Sequence, residues 1–300
     1  MTIEQLFASS PHGFGNFEVR GPAYAGGSCA ACHTSQGYVA AATGADPDFT
    51  GGVASMNCRT CHQIHSNDKG GSLALTTTDP VTLRIGGTTV DFGKGNLCVH
   101  CHQGRVPDFI PTVGAGGQDT IPARYGTHYG PQANVFAAAP GLPAFGGAEP
   151  LPTTPFTSHV TFAGSEALGC VGCHMQSTEL TGNQAGGHTW GMTYGGGEVL
   201  NDGTCDACHA DVTAAFDGIA AEVQGALDDL QACLQAEGVI DGTGSPNTGA
   251  VVDNDLLAAF LVWQAVTADG SGGAHHPEYV PAILANANDY LDANYPSCAP

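Results

Sequence analysis

The sequence predicts a mostly irregular chain with a small α-helical subdomain at its C-terminal end. Three observations carry that expectation. The motif Cys-x-x-Cys-His occurs five times before residue 210 and not after it. The 44 Gly and 18 Pro among 300 residues favour turns and close backbone approach over long regular elements. Apolar residues follow helical spacing only beyond residue 211. The expected division is residues 1–210, which carry every motif, and residues 211–300, a helical cap.

The five motifs are Cys29-Ala-Ala-Cys32-His33, Cys58-Arg-Thr-Cys61-His62, Cys98-Val-His-Cys101-His102, Cys170-Val-Gly-Cys173-His174 and Cys205-Asp-Ala-Cys208-His209. Each has the form of a c-type haem attachment site, in which both thiols bond to the macrocycle and the adjacent His becomes an axial iron ligand. Together they consume ten of the twelve cysteines. Zinc is a poor alternative, because Cys-x-x-Cys pairs combine two by two into four-ligand sites and five is odd. A redox dithiol needs one motif in a βαβ context, not five in Gly-rich surroundings. The expected class is therefore a multihaem cytochrome c with five haem c groups. Such groups are large and apolar, so they supply much of the core and the polypeptide wraps them.

Charge and hydropathy narrow the setting. The chain has 28 acidic against 7 basic residues, a net charge of −21. A nucleic-acid partner is excluded by that balance, because phosphate binding needs a basic surface. An acidic, self-repelling surface suits an external setting. No apolar run reaches the roughly 20 residues that span a bilayer. Haem attachment of this type is completed after export, yet Met1-Thr-Ile-Glu has neither a basic nor an apolar leader region. Either the export segment lies outside this numbering or the start is artificial. The two remaining cysteines, Cys233 and Cys298, are expected to pair in an oxidising compartment.

The elements follow in order. First cysteines are separated by 29, 40, 72 and 35 residues, too irregular for a tandem repeat. Residues 81–92 suggest a short hairpin with Gly86-Gly87 as a two-residue turn. Residues 103–169 are rich in Pro, Gly and Ala and are expected to be extended coil. Val212, Phe216, Ile219, Val223, Leu227, Leu230 and Leu234 predict a helix that stops at Gly238. Leu256, Leu257, Phe260, Leu261 and Trp263 predict a second. A third follows Pro277, through Tyr279, Ile283, Leu284, Ala287 and Leu291.

Five histidines, His33, His62, His102, His174 and His209, are expected as proximal ligands. Two strong axial ligands saturate an iron and suit it to electron transfer; an open position permits substrate chemistry. Candidates for the second ligand are His12, His65, His128, His159 and His188. His65 is only three residues beyond His62, so it suits a neighbouring haem better than its own. His100, His275 and His276 are weaker candidates. Met175 directly follows His174 and is badly placed for that iron.

Four stretches carry a resemblance to a known group. They are Leu97 through Arg105, His128-Tyr129-Gly130-Pro131-Gln132-Ala133, Cys170 through Met175 with Gly187-His188-Thr189, and Trp263 with Asp269 through Tyr279. In these the chain resembles extracellular multihaem c-type cytochromes of the nanowire-forming type, the group of outer-surface cytochromes E and S. It departs from those two in its number of motifs. The resemblance implies closely stacked haems, bis-histidine ligation and mostly coil structure. It also implies an N-terminal His that ligates a haem of the adjacent subunit, and His12 is the matching position. Copies of the chain would then join head to tail in an open filament.

The expected function is extracellular electron transfer, to redox partner proteins or extracellular metal acceptors, without chemistry of its own. A discrete periplasmic electron shuttle is the alternative. A pentahaem nitrite-reductase-like enzyme resembles the chain in haem count and helical C-terminus. That family replaces one motif His with Lys, whereas all five motifs here end in His.

Overall fold

The computed structural model describes residues 2–14, 29–64, 73–152, 159, 169–176, 185–194, 197, 199–206 and 208–299. About 42% of these are helical, with little strand. The helices are α1 (Ile3–Ala8), α2 (Pro11–Phe14), α3 (Ala30–His33), α4 (Ser35–Thr43), α5 (Cys58–Cys61), α6 (Asn96–Val99), α7 (Gln132–Phe136), α8 (Gly169–His174), α9 (Val212–Ala236), α10 (Asn254–Asp269) and α11 (Tyr279–Asn294). The strands are β1 (Val81–Thr82), β2 (Thr89–Val90), β3 (Gln118–Thr120), β4 (Thr193–Tyr194), β5 (Val199–Leu200) and β6 (Val251–Asp253). Every helix longer than nine residues lies beyond residue 211. Among the described residues no helix is long and apolar enough to cross a membrane.

Two compact units form. One comprises Met1–Val81, Asp91–Cys101 and Val160–Thr213; the other comprises Thr82–Val90, His102–His159 and Ala214–Pro300.

The second unit holds the apolar core. Val223, Leu227, Leu230 and Leu234 bury one stripe of α9, as their spacing predicts. The helix ends where Gly238 turns left-handed at φ 71° and Val239 N–H donates to the Leu234 carbonyl at 2.9 Å. In α10, residues 256 to 263 are all buried, so this helix is the centre of the unit rather than a one-sided surface helix. Against α11 it packs Leu257, Phe260 and Leu261 with Val280, Ile283, Leu284 and Leu291. The Cys233–Cys298 disulfide is formed. Ile121, Tyr125, Val135, Leu142 and Phe145 belong to the same cluster, so residues 214–300 fold together with 102–159. β3 pairs antiparallel with β6, Gln118 opposite Asp253 and Thr120 opposite Val251.

The hairpin expected near residue 85 is present. Leu83 N–H donates to Thr88 O at 2.8 Å, and the Thr82 and Thr89 hydroxyls meet at 3.0 Å. Its loop spans four residues, 84–87, rather than the two expected, with Gly86 and Gly87 both left-handed at φ 80° and 71°. A Cβ at Gly86 would lie 1.6 Å from the Pro140 carbonyl oxygen, so only glycine fits there.

The first unit is built differently. Every residue of the large apolar cluster lies in the second unit. Among the described residues of the first unit, the buried apolar side chains larger than alanine are Tyr38, Val81, Phe92, Val99 and Val212. Its interior is instead lined by hydrogen-bonded polar groups. Thr34 Oγ1 donates to Ala30 O and accepts from Gly37 N–H, Thr60 Oγ1 donates to Ser35 Oγ at 2.9 Å, and Asn96 is 0% exposed. A compact unit of this length ordinarily buries a substantial apolar core.

Candidate functional site

Each motif winds into one turn. In an α-helical turn, positions three and four apart share a face. The spacing i, i+3, i+4 therefore gathers two thiols and one imidazole on one side of a single turn. The first motif forms α3, closed by Thr34 N–H donating to Ala30 O at 3.0 Å. The second forms α5, where Asn57 caps the start and His62 N–H donates to Cys58 O at 2.9 Å. The third overlaps α6, with Cys101 N–H on Cys98 O at 3.1 Å. The fourth forms α8. The fifth is a turn in which Cys208 and His209 N–H groups both donate to Cys205 O, at 3.0 and 2.9 Å.

These turns pack on one another within the first unit. The second meets the first through the Thr60–Ser35 hydroxyl bond. The first meets the third through Tyr38 OH on Leu97 O at 2.8 Å, and through the thiols of Cys32 and Cys101, which point at His100 O and Ala31 O at 3.7 Å each. The third meets the fourth where Cys98 and Cys170 interact and a Cβ on Gly95 would lie 3.1 Å from Cys170 N. The fourth meets the fifth through Thr204 Oγ1 donating to Gly172 O at 2.9 Å. These contacts join second to first, first to third, third to fourth and fourth to fifth, and Cys61 of the second also acts on Cys98 of the third.

None of the ten motif cysteines forms a disulfide; Cys29, Cys58 and Cys208 are exposed and the others half-buried. Burial pushes Cys61 and Cys173 up to about 11, the neighbouring thiols Cys58 and Cys205 adding to the effect, so both stay protonated thiols at neutral pH.

The imidazoles are oriented by their Nδ1 atoms. Nδ1 of His62 lies 2.9 Å from Leu73 O, that of His174 2.9 Å from Trp190 O, and that of His102 3.3 Å from Gln132 Oε1. A carbonyl oxygen only accepts, so each Nδ1 carries the proton and each Nε2 presents a lone pair. A metal-binding histidine needs that tautomer and that kind of support. Burial holds His33 and His102 below the ordinary imidazole range, which keeps them neutral. For His102 the neighbouring His275 adds to the lowering and Gln132 opposes it.

The candidate second ligands divide. His188 faces His62, with ring centres 6.2 Å apart and planes 35° apart. Burial and then His62 lower His188, which is therefore also neutral. Were a metal held by His62, His188 would be the neighbouring imidazole able to share it. His159 has its Nδ1 3.0 Å from Ala274 O, the same supported tautomer as the motif histidines. His12 is exposed and its ring meets the Trp190 indole edge-on at 4.6 Å. His128 is exposed, left-handed at φ 66°, and lies against Tyr129. His65 lies outside the described residues.

Two of the weaker candidates are now distinguished. His275 Nδ1 sits 2.6 Å from the buried Asp269 carboxylate, its ring edge-on to Phe136 at 5.8 Å and close enough to His102 to affect it. Rather than beginning α11, it occupies the turn before it. Residues 269 to 275 carried this signal as an Asp and a His six apart, a spacing without helical meaning. His276 has the opposite tautomer: Tyr279 N–H donates to its Nδ1 at 3.1 Å, which puts the proton on Nε2 and makes it a cap for α11.

Ten thiols outside any disulfide, supported histidines and the few apolar side chains buried among the described residues of the first unit together fit covalently attached haem. Among the described residues, no three His, Cys, Asp or Glu side chains converge as a protein-only metal cage requires. No family model, curated protein or solved structure matches this chain.

Proposed function

We propose that this chain is an electron-transfer protein carrying five covalently attached c-type haems in one closely packed series. The observation that carries the reading is the contact of the attachment turns with one another, from Thr60–Ser35 at one end to Thr204–Gly172 at the other. Bound haem supplies a one-electron iron couple. The residues supply spacing, ligation and electrostatics. Cys29, Cys32, Cys58, Cys61, Cys98, Cys101, Cys170, Cys173, Cys205 and Cys208 attach the groups. His33, His62, His102, His174 and His209 ligate from one side. His188 would supply the second imidazole to the iron held by His62, and His275 to the iron held by His102. Irons held by two imidazoles have no open position, which suits electron transfer rather than substrate turnover.

The extracellular setting and the head-to-tail filament rest on the resemblance and on the net charge of −21. His12 is exposed, as a residue that ligates a haem of the next subunit has to be. Electrons then leave to further copies, to redox partner proteins or to extracellular metal acceptors.

The test is a haem count on the purified native protein, followed by electron microscopy of it and of a His12→Ala variant. Five low-spin haems and filaments that vanish in the variant are expected. Fewer than five haems, or an open high-spin iron that binds ligands, would overturn the electron-transfer reading. Discrete particles from both proteins would leave a soluble shuttle.

A further inference from the structure

Trp190 touches two of the histidines assigned above, by different parts of itself. Its carbonyl is 2.9 Å from His174 Nδ1. Its indole packs edge-on against His188, with ring centres 5.6 Å apart and planes at 68°. Phe7 and His12 close on the other sides of the same indole, at 6.1 and 4.6 Å.

The backbone is unusual at this point. Trp190 has φ 54° and ψ 3°, in the left-handed region that bulky residues rarely adopt. The loop around it enforces that conformation. Gly186 N–H donates to Gly191 O at 2.8 Å, Thr189 Oγ1 donates to Gly186 O at 2.7 Å, and Gly191 N–H donates to Thr189 Oγ1 at 3.2 Å. A right-handed or extended Trp190 would aim its carbonyl elsewhere. The strained conformation is what lets one residue give its carbonyl to His174 while laying its ring on His188.

We propose that Trp190 is a positioning residue that would couple two iron sites: its indole fixes the ring of His188, which faces His62, and its carbonyl fixes and polarises His174. This rests on the haem reading above. An acceptor on Nδ1 raises the basicity of a ligating imidazole, and packing on the ring limits its rotation about the metal bond. A change at Trp190 therefore reaches two irons whose motifs are more than a hundred residues apart.

The test compares three variants of the full, haem-loaded chain by potentiometric titration and by the low-spin electron paramagnetic resonance signal of each haem. Trp190→Phe keeps a ring and is expected to match the parent. Trp190→Gly is at ease in the left-handed region; it keeps the carbonyl direction and loses the indole, so the haem of His62 and His188 should change while that of His174 should not. Trp190→Val is strained there; it loses both contacts, so two haems should change. If Trp190→Gly leaves all five potentials and signals as in the parent, the proposal is overturned, even if Trp190→Val fails to fold. The same holds if Gly and Val alter one and the same haem. A parent with fewer than five haems would instead remove the haem reading on which the proposal stands.

Discussion

The imidazoles of His62 and His188 face one another at 6.2 Å between ring centres, although 126 positions separate them in the chain. His62 carries its proton on Nδ1, so its Nε2 presents a lone pair. His188→Ala should therefore convert one haem in five from low-spin to high-spin. Visible absorption and electron paramagnetic resonance of the purified variant check this; five unchanged low-spin haems would refute the pairing.

His275 and Asp269 form the other informative pair. A buried carboxylate 2.6 Å from Nδ1 gives the imidazole more anionic character than a carbonyl does. If His275 ligates the iron of His102, Asp269→Asn should raise the potential of one haem while leaving it low-spin. His275→Ala should make that same haem high-spin. Potentiometric titration of both variants separates the effects, and two different haems responding would break the link.

Asn96 organises the approach to the third motif. Its Oδ1 accepts from Phe92 N–H at 2.7 Å, and its Nδ2 donates to Thr78 O at 2.9 Å and to Asp91 Oδ1 at 2.8 Å. It is fully buried, so Asn96→Ala leaves a donor and an acceptor unsatisfied. The expected cost is about 2–4 kcal/mol, read as a lower midpoint in chemical denaturation. Attachment at Cys98 and Cys101 should fall with it, measured by haem stoichiometry.

The Cys233–Cys298 bridge closes 65 residues across α9, α10 and α11. By loop entropy its removal should cost about 4 kcal/mol. Replacing both cysteines by serine should lower the midpoint of the second unit and leave the haem count at five, since neither residue belongs to a motif.

The sequence made the C-terminal helices legible because α9 repeats apolar residues at 3.6 spacing over about six turns, and α10 and α11 carry dense apolar runs without Gly. Gly238 marked the end of α9 for a local, steric reason. The segment 102–159 gave no such signal. Ile121, Tyr125, Val135, Leu142 and Phe145 are isolated apolar residues among Pro and Gly, and only the fold shows that they complete the helical core. The attachment motifs were legible as chemistry, one covalent pattern repeated. Which turn packs on which was not, because single turns carry no periodicity and their contacts span up to about seventy residues. His275 reads only as a weaker candidate in the sequence for a related reason: its support comes from Asp269 across a loop, and loops have no register.

The polar interior of the first unit has a consequence for how the molecule is made. Ordering a backbone costs about 1–2 kcal/mol per residue, and hydrogen-bonded Thr34, Ser35, Thr60 and Asn96 offset little of that. Under the haem reading, attachment then precedes folding. The polypeptide would then present all five motifs as an open chain, and the order in which they are filled need not follow the order in which they later pack. A folded first unit becomes a certificate of loading. Chains that miss their cofactor would then stay open to proteolysis.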